Sequence, residues 1–152
     1  MATPIVVRFE NNYSGLVVTG VTGEYSENPP PVSNSQFLVD RNEVVEVHVH
    51  WDTSGSNPIA LHALDLIADW EGEAVLHAIS PSAVTAAVVG TPTAFVAGAA
   101  SMAFTFAANT LQNGIYRLYV RVSLRDKPAL GVHYLPVNMV GESNPILVFD
   151  AI

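Results

Sequence analysis

The 152-residue chain has no cysteine, a single lysine and few charges of either sign. Without cysteine there is no disulfide framework, no thiolate zinc site and no thiol nucleophile. Charged residues make up 13% of the chain, about half the ~25% of an average protein. With hydrophobic residues at 49%, that scarcity excludes a disordered chain, which combines low hydrophobicity with high charge. Six Lys+Arg against fourteen Asp+Glu give a net charge of −8. Neutralising phosphates needs a basic balance that this acidic chain lacks, so no nucleic-acid partner is expected. Long apolar runs are missing too. Residues 83–108 are apolar on average, but Pro92, several Gly and Thr residues and Ser101 interrupt them. No stretch reaches the ~20 apolar residues of a transmembrane helix, and no membrane span is expected. The opening residues Met1 to Arg8 lack a basic segment ahead of an apolar one, so they do not read as a signal peptide. No compartment is assigned, with an extracellular or particle-associated place among those open to such a chain.

What the chain does have is period-two alternation. Length alone favours one domain over residues 1–152, since domains run ~100–200 residues. Such a chain can bury a core without staples. The clearest alternation sets Val45, Val47, Val49 and Trp51 against Glu46, His48, His50 and Asp52. Met102, Phe104 and Phe106 alternate with Ala103 and Thr105, and Tyr116, Leu118, Val120, Val122 and Leu124 with Arg117, Tyr119, Arg121, Ser123 and Arg125. Shorter runs at 5–9, 16–25, 36–39, 83–89, 132–140 and 146–149 are separated by Asn, Gly and Pro clusters. Leu64, Leu66, Ala68 and Trp70 read as a further strand, although Ile67 breaks the pattern and Asn57-Pro58 also fits a helix beginning at Ile59. Glu71-Gly72-Glu73 reads as the turn into a strand ending near Ile79. Nine or ten short strands at this spacing predict an all-β sandwich or barrel.

One segment carries more than periodicity. Leu111 to Leu118 has the form L-x-x-G-x-Y-x-L, with Gly114 and Tyr116 at its centre. It resembles the tyrosine corner of immunoglobulin-like sandwiches, in which a Tyr at the start of strand F bonds backbone a few residues upstream. The resemblance implies an immunoglobulin-like antiparallel β-sandwich. Tyr116 becomes the corner residue, residues 102–107 become strand E, 46–52 strand B, and Trp51 or Trp70 the core tryptophan. The chain exceeds the ~100 residues of a simple domain of that kind, and extra N-terminal strands would use the surplus.

Candidate chemistry centres on His48-Val49-His50. Two His at i and i+2 project from one face of a strand, near enough to share a metal, with Glu46 and Asp52 beside them. Two imidazoles are too few for a closed tetrahedral site, so no metal and no cofactor are assigned, and the face also reads as a solvated polar side. There is no G-x-S-x-G and no P-loop, and no catalytic residue is assigned. His62, His77 and His133 have apolar neighbours in sequence and read as half-buried, hydrogen-bonded side chains. Trp51, Trp70, Tyr119 and Tyr134 could line a sugar platform, although core packing is the better use of both Trp residues.

Charge placement points elsewhere. The 43 residues between Glu73 and Arg117 contain no Asp, Glu, Lys or Arg. A sandwich turns alternate residues outward, and a weakly charged outward surface of small residues suits an interface. Arg117, Arg121, Arg125 and Lys127 lie within eleven residues. If strands B and F lie in opposite sheets, one outer face is acidic and the other carries an Arg stripe, which favours head-to-tail contact. The leading expectation is a non-catalytic subunit that associates with itself, as oligomer or filament, or docks on another protein, with Arg117 and Arg121 or His48 and His50 in the contact. The alternatives are a carbohydrate- or other ligand-binding module and a metal-dependent enzyme using the His-x-His pair.

Overall fold

The computed structural model describes residues 3–11, 15–28, 38–55, 63–64, 66–126 and 134–150. Eleven strands account for most of them: β1 (Thr3–Asn11), β2 (Val17–Asn28), β3 (Leu38–Asp40), β4 (Val44–Ser54), β5 (Ala68–Ala78), β6 (Ala86–Val89), β7 (Thr93–Ala94), β8 (Gly98–Phe106), β9 (Gly114–Asp126), β10 (Tyr134–Glu142) and β11 (Ile146–Phe149). The all-β expectation holds. Hydrogen bonding joins the strands in the order β3-β11-β9-β10-β1-β2-β4-β8, with β5 on β9 and β6 and β7 on β5. Every pair is antiparallel except β11 with β3, which is parallel, so the sheet is mixed rather than wholly antiparallel.

β1 divides this sheet into two groups. Its first residues, Thr3 to Ile5, pair with β2, and β2-β4-β8 follow. Its later residues, Val6 to Asn11, pair with β10, which leads to β9 and β5. Gly23 lies beside this crossing. A Cβ there would sit 2.7 Å from side-chain carbons of Ile5 and Val7, so only glycine lets β1 pass so close. One lateral side of the molecule is therefore closed by a strand shared between both groups. The opposite side ends on β8 in one group and on β6 and β7 in the other.

The apolar faces of the groups meet. Val45, Val47, Val49 and Trp51 of β4 are buried, as are Met102, Phe104 and Phe106 of β8 and Tyr116, Leu118, Val120, Val122 and Leu124 of β9. Trp51 of β4 packs edge-on against Trp70 of β5 with ring centroids 5.0 Å apart, and Phe95 lies against Trp70 at 6.2 Å. Face-to-face burial of alternating strands is the packing of a β-sandwich, and the arrangement is compatible with one.

Two expectations for residues 59–79 are corrected. Residues 63, 64, 66 and 67 are helical, and the strand begins at Ala68. Leu64 and Ala68, four apart, are both buried, while Leu66 between them is 59% exposed. That is helical spacing, whereas a strand would have turned all three to one side. Glu71-Gly72-Glu73 is no turn, because β5 runs straight through it. Gly72 is there because a Cβ would meet the Arg121 carbonyl oxygen at 2.5 Å and the Met102 sulfur and Phe104 ring at 3.0 Å. Without a side chain, β5 can lie between β9 and the core side chains of β8.

Candidate functional site

The His pair is where alternation puts it. On β4, His48 and His50 face outward with rings stacked at 6.1 Å and 10° between planes. His48 Nε2 lies 3.3 Å from Glu46 Oε2, and His50 Nε2 lies 3.8 Å from Glu24 Oε1 on β2. Register explains the second contact, since Glu24 is paired with His48 and stands diagonally to His50. Toward β8 the same His residues are paired with Ala103 and Ser101, which supply no ligand. Among the described residues, no group of three or more His, Cys, Asp or Glu is placed to hold a metal. The face offers two imidazoles beside carboxylates, a polar acidic surface with hydrogen-bonding capacity and no gathered ligand set.

The Arg row is matched within its own sheet. Arg121 Nη1 donates to Glu71 Oε1 at 2.5 Å and to Ser123 Oγ at 2.8 Å, and the Ser123 hydroxyl donates to Asn138 Oδ1 at 2.6 Å. Arg117 lies 3.5 Å from Glu142 of β10. Asp69, Glu71 and Glu73 of β5 stand opposite Arg125, Ser123 and Arg121 of β9. The expected split into an acidic face and an Arg face is therefore not present. Carboxylates of β5 and β10 share the Arg face, and the charge basis for a head-to-tail contact is lost. Asp69, Glu71 and Glu73 are spaced two apart, which puts all three on one side of β5, but only the β5–β9 register brings them to the arginines.

Tyr116 is fully buried, and its hydroxyl donates to the Gln112 carbonyl at 2.7 Å. The same oxygen accepts from the Val84 amide at 3.3 Å. The bond back to Gln112, four residues upstream, fits the L-x-x-G-x-Y-x-L pattern. The bond from Val84, which no local spacing announces, ties in the 80–85 loop. Of the proposed sugar platform, Trp51 and Trp70 are buried against each other, leaving Tyr119 at 37% exposure. No side-chain placement is described for Tyr134. His77 is exposed rather than half-buried, edge-on to Tyr119 at 6.2 Å. It belongs to the outer row of β5, opposite Arg117. His62 and His133 lie outside the described residues.

Two shallow concavities of about 390 Å³ each flank Arg8 and Val140 where β1 meets β10. Pro4, Val6, Glu142 and Asn144 line one, and Phe9, Glu10, Arg121 and Asn138 the other. Neither brings a nucleophile to a base.

The charge-free segment lies at the open lateral side. It supplies β6, then β7 within the 90–97 connection, and then β8. Val84, Val89 and Val96 are 62%, 68% and 62% exposed. Ala99, Ser101, Ala103 and Thr105 form the exposed row of β8. No helix among the described residues is long and apolar enough to cross a membrane. No protein-family model, curated protein or solved structure matches the chain.

Proposed function

We propose that the chain is a non-catalytic, immunoglobulin-like sandwich module that works by associating with copies of itself. The assignment of fold type is supported by three pairings together: β4 with β8, β5 with β9, and β9 with β10. They correspond to the B–E, C–F and F–G neighbours of that fold, and the Tyr116 corner agrees with them. β2, inserted between β1 and β4, and β3 then take up the N-terminal surplus.

The observation that carries the association reading is the open side. Soluble proteins guard exposed strand edges with charge, above all Lys. Here neither β6, nor β7, nor β8 contains a charged residue. Large exposed Val side chains stand on that side and in its approach. Small uncharged side chains lose little entropy and little hydration when covered. Mass in solution tests the proposal. Light scattering should give a species heavier than the 16.2 kDa chain, and a monomer at tens of micromolar would overturn it.

A further inference from the structure

We infer that β8 is a homodimerisation edge, pairing antiparallel with β8 of a second copy about a two-fold axis at Met102. The dimer rests on the self-association reading and specifies its contact.

β8 ends its strand group, with β4 on one side and no hydrogen-bonded strand on the other among the described residues. Natural edges are kept short, bulged or charged. β6 and β7, at four and two residues, meet the first condition. β8 meets none: it has nine residues, an unbroken register with β4 from Gly98 to Phe106, and no charge or Pro. Backbone groups of alternate residues along its outer side offer a ladder to a further strand.

The side chains say which strand fits. The inward row of β8 rises steadily in size: Gly98, Ala100, Met102, Phe104, Phe106. Turned antiparallel about Met102, a second β8 sets Phe106 beside Gly98, Phe104 beside Ala100 and Met102 beside its own copy. Large meets small on both sides of a central pair of equal, intermediate Met102 side chains, so the combined bulk stays even along the seam and the sheet can continue at constant spacing from the layer behind it. The outward row pairs Ala99 with Thr105 and Ser101 with Ala103, without a charge or a bulky group. A parallel copy would stack Phe on Phe at one end and Gly on Gly at the other.

Electrostatics permits this contact and gives it a signature. The nearest carboxylates, Glu46 and Asp52, are on β4, one strand in from the edge. Across the seam, Glu46 of one copy shares a row with Asp52 of the other, three strand spacings or about 14 Å away. That exceeds the ~8 Å screening length at 0.15 M salt but not the ~30 Å at 0.01 M. The dimer should tighten as salt is added, whereas a contact made by Arg–carboxylate attraction would weaken.

Sedimentation of the full chain at low and physiological salt, with two charge variants, tests the seam. Wild type should sediment at twice the chain mass at physiological salt and associate about twofold more weakly at low salt. Ser101→Lys/Ala103→Lys sets like charges opposite each other on both sides of the axis and should give a folded monomer with unchanged circular dichroism. Ser101→Glu/Ala103→Glu should do the same. An equimolar mixture of the two should recover the dimer, because each cation then faces an anion. Slower amide exchange in β8 at higher wild-type concentration is expected independently of any variant. Wild-type oligomers that persist in both variants, a mixture that stays monomeric, or β8 exchange independent of concentration would overturn the β8 seam and leave self-association standing. A monomeric wild type would overturn both.

Discussion

Replacing Tyr116 by Phe removes one oxygen and leaves the buried ring, so no cavity is opened. The oxygen makes two hydrogen bonds, donating to Gln112 and accepting from Val84. The bond to Gln112, at 2.7 Å, closes the turn before β9, and the one from Val84, at 3.3 Å, is longer and holds the 80–85 loop from across the sheet. A typical net contribution is about 1 kcal/mol per bond, and a buried partner left unsatisfied costs about 1–3 kcal/mol. Gln112 itself is solvent-exposed, so water can reach its carbonyl and the lower part of that range applies. Tyr116→Phe should therefore destabilise the fold by about 1–2 kcal/mol. For a chain of this size that lowers the melting temperature by about 2–8 °C, at roughly 2–4 °C per kcal/mol. Urea unfolding followed by tryptophan fluorescence should show a lower midpoint at unchanged slope, because Trp51 and Trp70 are both in the core. Amide exchange should quicken at Val84 before it does in β9. An unchanged midpoint, or a loss with no change at Val84, would refute the assignment of Tyr116 as a clamp between two loops.

Three further outcomes follow from particular contacts. Gly72→Ala should cost about 1–3 kcal/mol, as overpacking does, because its Cβ meets a backbone carbonyl at 2.5 Å rather than a yielding side chain; a stabilised variant in thermal melts would contradict this. Glu27 is buried and its pKa is raised, first by desolvation and then by the neighbouring charges of Asp40 and Glu43, against the Asp40 N–H that it accepts. As pH rises above the ordinary carboxylate range, the unfolded chain releases this proton first, so its contribution to stability falls toward neutral pH. Glu27→Gln keeps an acceptor for Asp40 and should flatten that decline between pH 4 and 7, as read from urea midpoints; an unaltered pH profile would refute the cause. Zinc titrated calorimetrically should bind no tighter to the wild type than to His48→Ala/His50→Ala, since two imidazoles alone make no closed site. Stoichiometric binding lost in the double variant would establish a third ligand.

Period-two alternation, read from the sequence alone, determined the all-β class, the buried faces of β4, β8 and β9, and the outward projection of His48 and His50. Those features are local, because a pleated backbone sends successive side chains to opposite sides whatever lies beyond. The bond from the Tyr116 hydroxyl to the Gln112 carbonyl was legible too, since its partner is only four residues away. The helical residues near Leu64 and the straight course of β5 through Glu71-Gly72-Glu73 are not given by alternation, because the layer above decides both. Only the packing of Met102, Phe104 and the Arg121 carbonyl against Gly72 shows why a glycine stands inside a strand. The ionic network was equally out of reach, because Glu71 and Arg121 are fifty residues apart and meet only through the β5–β9 register. The same limit applies to the uncharged segment. Composition announced a surface without guards, but strand order, a property of long-range pairing, decided that β8 lies at an edge.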